Sequence, residues 1–174
     1  EGQNEVVELA GVRVVHLGGR GGPDLSEGWQ VPLSITFGEN AASHLVFGTA
    51  GWATDSRDID SVPIEVHNFQ ENILPPLPPS GANDARFLLE GDNANQGSFV
   101  DLRSPQIELG DELEWKLQIF SESDVVIRWD ADALNKIGGR FLLRPMDNEG
   151  TLYGATTDMG ETDYLVSAYT DDLK

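Results

Sequence analysis

The chain has 174 residues, with 11 Lys and Arg against 30 Asp and Glu, a formal net charge of −19 and no Cys. This length fits one domain with a hydrophobic core. The charge argues against binding to nucleic acid or to an anionic membrane, because both depend on clustered Lys and Arg. The lack of Cys excludes disulfides, thiol catalysis and thiolate metal sites.

The chain begins with Glu1 rather than Met, and no apolar run approaches the ~18 residues that a membrane helix needs. We interpret it as a mature secreted protein whose signal peptide has been removed. A recombinant chain trimmed at its start is the alternative. On the first interpretation the protein works outside the cell or on the cell surface, without inserting into the membrane.

The first segment, residues 5–17, contains two apolar runs separated by Ala10 and Gly11. The second run consists of Val12, Val14, Val15 and Leu17. Residues 18–28 are rich in Gly, but no helix pattern or Lys-Ser/Thr pair follows, so a hinge is favoured over a phosphate loop. We therefore predict an N-terminal arm and hinge over residues 1–28 and a β-sandwich over 29–174. The alternative is that the arm is the first strand of its own sandwich.

In most of the remaining chain, apolar and polar residues alternate with the period of strands that bury one face. The clearest strand is 112–120, in which Leu113, Trp115, Leu117 and Ile119 share a face. Residues 121–124 are predicted to form a hairpin turn to the next strand. The further predicted strands are 31–37, 44–47, 62–69, 85–89, 98–102, 125–129, 140–144, 151–153 and 164–169.

Two stretches depart from the strand pattern. Residues 132–137 predict a short helix that ends at Gly138 and Gly139. Residues 72–83 contain five residues, Pro-Pro-Leu-Pro-Pro, that predict an extended polyproline segment without ladder hydrogen bonds. Together the elements predict an all-β fold, an antiparallel Ig-like or jelly-roll-like sandwich.

No catalytic constellation stands out. The available bases are His16, His44 and His67, and the chain lacks both a Gly-x-Ser-x-Gly elbow and a zinc-binding His pair. We therefore do not expect an enzyme.

Three acidic loops are candidate calcium sites, because calcium takes six to eight oxygens, largely from loop carboxylates and carbonyls. None has the spacing of an EF-hand. The alternative is that these side chains are solvated or cap their own turns. The candidate ligands are Asp55, Asp58 and Asp60 in the first loop, Asp130 and Asp132 in the second, and Asp158, Glu161 and Asp163 in the third.

The four tryptophans are candidates for a sugar-stacking platform. Trp115 shares its strand face with Leu113 and Leu117, so we expect it in the core. Trp52 lies beside Gly51 in a predicted loop and is the best candidate for binding a ligand.

One part of the sequence resembles a known kind of module. Residues 45–55 are LVFGTAGWATD, residues 74–81 are LPPLPPSG and residues 85–87 are ARF. In this order they resemble a β-sandwich module of secreted and surface proteins of Bacteroidetes-like bacteria, often found upstream of a type IX sorting domain. The resemblance covers roughly residues 31 to 170. It implies an extracellular, noncatalytic sandwich and assigns no activity to particular residues.

These observations favour a secreted structural protein that assembles with copies of itself into a fibre or surface layer. The predicted arm would add to the sheet of a neighbouring copy, and head-to-tail addition would propagate. The alternative is an extracellular module that binds carbohydrate or another ligand.

Overall fold

A computed structural model of the chain describes residues 8–17, 28–40, 42–79, 82–93, 95–105, 112–121, 123–146, 152 and 154–167. Within these ranges, ten strands form two sheets of five strands each. The predicted all-β sandwich is therefore confirmed. In chain order the strands are β1 (Glu8–Leu17), β2 (Gly28–Phe37), β3 (Ser43–Ala50), β4 (Asp84–Leu88), β5 (Val100–Arg103), β6 (Glu112–Phe120), β7 (Val125–Arg128), β8 (Arg140–Pro145), β9 (Thr157–Asp158) and β10 (Tyr164–Ser167).

The two sheets differ in their pairing. The first sheet has the order β4-β6-β1-β8-β9 and is antiparallel throughout. The second has the order β10-β7-β2-β3-β5, and its last pair, β3 with β5, is parallel. Strands next to each other in sequence are therefore often in different sheets, as expected for a sandwich.

The core lies between the sheets and centres on four aromatic side chains. Trp29 and Phe47 come from the second sheet, and Trp115 and Phe141 from the first. The ring centroids of Trp29 and Trp115 are 5.6 Å apart, those of Phe47 and Trp115 5.2 Å, and those of Trp29 and Phe141 5.2 Å, all edge-to-face. Edge-to-face packing is favourable for aromatic pairs and joins the two sheets here.

The predicted hairpin turn at residues 121–124 is wrong. β6 lies in the first sheet and β7 in the second, so this segment crosses from one sheet to the other. The Ser121 hydroxyl supports the crossing by donating to the Ser123 carbonyl (2.9 Å) and lying 3.1 Å from Asn83 Oδ1. The alternation of apolar residues identified both strands correctly, but it does not say which strands pair.

The predicted strand at residues 62–69 is also wrong, because Ile64–Phe69 form two short 3-10 turns separated by a kink at Val66. Pro63 precedes it with a φ of −56°, and the side chain of Ile64 is 87% exposed. The apolar residues of this segment therefore do not alternate into the core. In the predicted strand 151–153, Leu152 forms an isolated bridge with Met146, and residues 151 and 153 lie outside the described ranges.

The two stretches predicted to depart from the strand pattern do so. Helix α1 (Ala131–Ile137) begins after Asp130 and ends at Gly138, whose φ of 89° favours glycine. Residues 72–79 run outside both sheets, while residues 80 and 81 are not described. No helix of the described part of the chain combines the length and apolarity needed to span a membrane.

We predict that truncating the aromatic cluster destabilises the fold strongly. Phe47→Ala should lower the free energy of unfolding by about 3–5 kcal/mol, because it leaves a cavity where the two sheets meet. Ile64→Ala, a change at an exposed apolar residue, is the control and should change it by less than about 0.5 kcal/mol. Urea unfolding followed by tryptophan fluorescence measures both, and equal losses would contradict the assigned core.

Candidate functional site

Strand β1, which carries the predicted assembly residues, lies in the centre of the first sheet. It pairs antiparallel with β6 on one side and with β8 on the other. The segment from Val12 to Leu17 is paired on both sides, so all four predicted residues lie in the doubly paired stretch. The ladder to β6 shifts between Leu9 and Val12, which places a bulge at the predicted break between the two apolar runs.

The side chains of β1 face both surfaces of the sheet. Val14 and Val15 are both fully buried, and Val14 belongs to the core between the sheets. Leu17 is partly buried, and the side chain of Val12 lies outside the description. Complete burial of a Val side chain contributes roughly 1.5–3 kcal/mol, so β1 stabilises the sandwich through packing as well as through its two ladders.

Residues 8–17 thus form a strand of the sandwich in the single chain. Residues 1–7 and 18–27 of the predicted arm and hinge lie outside the described ranges. All other described elements follow β1 in sequence. The segment 18–27 is therefore the covalent connection between β1 and the rest of the described sandwich. Four of its ten residues are glycines.

The first acidic loop uses its buried aspartate to hold its own turn. Asp58 is 3% exposed. It accepts hydrogen bonds from the Thr54 N–H (2.8 Å), the Thr54 hydroxyl (3.1 Å) and the Ser61 hydroxyl (3.0 Å). Asp55 and Asp60 are exposed. The described contacts of Asp58 are therefore those of a turn-capping residue.

The other two acidic loops meet at α1. Asp130 accepts from the Ala133 N–H (3.1 Å) and Asp163 from the Ala131 N–H (3.1 Å), so both cap the start of the helix. Asp158 accepts from the Gly160 N–H (3.0 Å) and from Arg140 (3.2 Å). Asp132 and Glu161 are exposed.

Across the described ranges, no three His, Asp or Glu residues come together in a way that could hold a metal ion. The calcium hypothesis is not tested by this arrangement and stays a prediction.

A buried carboxylate that the sequence did not single out closes one edge of the second sheet. Glu71 is fully buried. It accepts from the Leu102 N–H of β5 (2.7 Å) and from the Asp58 N–H (2.6 Å). β5 is the last strand of its sheet, and an unpaired edge offers its main chain to other chains. Glu71 therefore satisfies an edge group and ties the 54–71 loop to β5.

Burial raises the pKa of Glu71 from its ordinary 4.5 to about 8, with smaller contributions in the same direction from Asp101 and Asp58. The two backbone donors oppose this shift. Burial also raises the pKa of Asp101, although Arg103 beside it acts in the opposite direction. Glu71, which bonds to β5, and Asp101, which belongs to β5, thus hold their protons more tightly than the same groups in water.

Two arginine–aspartate pairs surround Glu71. Arg57 contacts both carboxylate oxygens of Asp92 (2.6 and 2.8 Å) and donates to the Glu71 carbonyl (2.6 Å). Arg103 contacts both oxygens of Asp101 (2.9 and 3.0 Å). The Arg103 pair is bidentate, which fixes its geometry as well as its charge, whereas in the Arg57 pair one nitrogen contacts both oxygens. The loops around residues 57, 71 and 92 are therefore held together at this edge.

A cavity of about 510 Å³ opens beside these pairs. Seven charged side chains line it, five of them acidic, but Asp92 and Arg103 are already engaged in ion pairs. The described lining contains no Ser, Thr or His that could serve as a nucleophile or imidazole base. Its charged residues are Asp55, Glu90, Asp92, Arg103, Glu112, Glu114 and Lys116.

The predicted ligand-binding residue Trp52 is partly buried. It packs on a small apolar cluster formed by Ala50, Ala53 and Leu102, which Phe69 also contacts. Trp29, Trp115 and Trp129 are buried in the main core, which confirms the expected place of Trp115. The described tryptophans therefore form no exposed stacking platform.

The chain was compared with protein-family models, with curated proteins and with solved structures, and none of the three comparisons found a match.

We predict that Glu71 makes the stability of the protein depend on pH. Because its pKa is higher in the folded chain than in the unfolded chain, the folded state binds the proton more tightly. The contribution of Glu71 to stability is therefore greatest below about pH 4.5 and is lost as the pH rises to about 8, by at most ~1.4 kcal/mol per pH unit.

Glu71→Gln removes this titration, although its single amide oxygen cannot serve both N–H donors. The variant should be less stable than the parent at pH 5, and the difference should shrink or reverse by pH 8. Urea unfolding at both values measures it, with the exposed Glu65→Gln as control. A difference between Glu71→Gln and the parent that is the same at both pH values would contradict the assignment.

Proposed function

We propose that the protein is a subunit of an extracellular fibre or surface layer, and that its copies join by exchanging strand β1. The observation that supports this most is the position of β1: the first described strand in sequence is the central strand of its sheet. If β1 leaves, β6 and β8 are exposed as two edges that face the same gap. The strand that fits this gap is an identical β1 from another copy.

The exchanged state would keep every contact that β1 makes in the single chain. The register to β6 and β8, the burial of Val14 and Val15 and the bulge after Leu9 would be restored by the incoming copy. Because these contacts are the same in both states, the free-energy difference between the closed and the exchanged state depends on the conformation of the connection and on the protein concentration. Such exchange is a low-cost route to assembly, and an open chain of exchanges propagates.

The connection over residues 18–27 has the length for this exchange. Ten residues reach at most roughly 33–36 Å when fully extended, which exceeds the ~10 Å between stacked sheets. A connection of ten residues also holds β1 close to its own sandwich, and short linkers give effective concentrations in the mM range. We therefore expect closed single chains in dilute solution, and exchange where copies are crowded or where β1 has been loosened.

An engineered disulfide tests the proposal directly, because the chain has no Cys. Leu17 of β1 lies opposite Arg140 of β8, so Leu17→Cys with Arg140→Cys can form a bond between the two strands. The protein is concentrated in mild urea to loosen β1, returned to buffer and oxidised. Exchange predicts a ladder of covalent multimers on a non-reducing gel, which collapses to one band on reduction.

The matched control is Ser34→Cys with His44→Cys, which joins β2 to β3. These strands are connected by residues 38–42 and are not part of the proposed exchange, so this pair should give intrachain bonds only. A Leu17/Arg140 pair that also forms intrachain bonds only, at every concentration, would contradict strand exchange.

A further inference from the structure

The two edge strands of the second sheet differ in the contacts that their main chains make in the described chain. At one edge, Glu71 bonds to the main chain of β5. At the other edge lies β10, which in the described chain pairs with β7 alone. Edge strands of stable monomers are usually protected by Lys, Pro, a bulge or a covering loop. The four residues of β10, Tyr164, Leu165, Val166 and Ser167, include neither Lys nor Pro.

The outer edge of β10 presents main-chain groups at two positions. The Asp163 carbonyl accepts from the Trp129 N–H (3.0 Å), so residue 163 points its main chain towards β7. Because main-chain groups alternate between the two sides of a strand, those of Tyr164 and Val166 point to the free edge. The Tyr164 carbonyl lies 3.4 Å from the Thr162 hydroxyl, a weak bond that a strand partner can replace.

The side chains beside this edge have the composition and exposure of a contact surface between proteins. Tyr164 and Val166 are 53% and 51% exposed, while Leu165 between them packs on the core. Tyr164 lies opposite Arg128, and Val166 opposite Val126. Tyr and Arg are enriched at contact surfaces between proteins, and Asp and Glu are depleted there.

The outward face of these strands is also free of acidic residues in the described part of the chain. The outward positions of β10, β7 and β2 in the described strands carry no Asp or Glu, although the chain has 30 of them. Asp163, which directly precedes β10, accepts a hydrogen bond from the Ala131 N–H (3.1 Å). Within the described strands, two copies can therefore pair at this edge without placing acidic side chains opposite each other. The outward residues of β7 and β2 are Val126, Arg128, Gly28, Gln30, Pro32, Ser34 and Thr36.

We propose that β10 pairs antiparallel with β10 of a second copy around a two-fold axis at Leu165. Tyr164 of each copy then lies opposite Val166 of the other, and these two residues exchange main-chain hydrogen bonds across the free edge. In this register Leu165 of one copy lies opposite Leu165 of the other. The side chains that face the core are therefore the same in both copies, and Leu165 stays in the core. The two five-stranded sheets become one of ten strands. This contact does not require the exchange of β1, and it would join two fibres side by side.

The test uses the full chain in a form that cannot exchange β1, the oxidised monomer of the Leu17→Cys, Arg140→Cys variant. Its mass is measured by light scattering and analytical ultracentrifugation over a dilution series. Reversible dimers are expected at high concentration. A protein that stays monomeric up to its solubility limit would overturn the proposal, whether or not strand exchange occurs in the parent.

Two substitutions at Val166 locate the contact. Val166→Pro removes an N–H that points away from β7, so it blocks pairing at the edge and spares the internal ladder. Val166→Lys places a charge on the same edge. Each should weaken dimerisation at least about tenfold, while Val166→Thr, which keeps the β-branched shape, should dimerise like the parent. Dimers that are unaffected by both Pro and Lys would overturn the proposal.

Discussion

The antiparallel pairing of β1 with β6 and β8 is the constraint on which the first sheet depends. Without β1 the sheet separates into β4 with β6 and β8 with β9, because no ladder joins β6 to β8 directly in the described chain. The core depends on the same pairing, since Val14 lies opposite both Trp115 and Leu143. Trp115 in turn packs edge-to-face on Trp29 and Phe47 of the other sheet. One strand thus joins the two halves of the first sheet and places the ring that contacts the second.

The two edge strands of the second sheet, β5 and β10, have different surroundings in the described chain. At β5, Glu71 accepts a hydrogen bond from the edge N–H of Leu102, and Arg57, which is paired with Asp92, donates to the Glu71 carbonyl. The cost is a buried carboxyl group with a raised pKa. At β10 the edge keeps exposed Tyr164 and Val166 and carries no acid. The chain has a net charge of −19, and the four residues of β10 contribute none of the acids that produce it.

Sequence patterns predicted the features that depend on residues close together in the chain. Alternation gave β6 its bounds, the break at Ala10 and Gly11 coincides with the bulge in β1, and Gly138 ends α1. The site was less predictable, because its contacts join distant residues. The three partners Asp58, Glu71 and Leu102 are separated by 13 and 31 positions. No spacing rule connects them, so Glu71 was missed. The prediction of a hairpin at residues 121–124 was wrong for the same reason. Which strands pair depends on packing throughout the core, and not on the residues of the turn alone.

The most direct test of the account is whether β1 can leave the folded sandwich before the rest unfolds. Native-state hydrogen exchange in increasing urea measures the free energy of opening at each amide. Strand exchange predicts that the amides of Val12–Leu17 exchange through a partial opening, with a lower free energy and a smaller urea dependence than those of β2 and β3. Equal opening free energies and equal urea dependence for β1, β2 and β3 would mean that β1 leaves only on global unfolding, and would contradict the account.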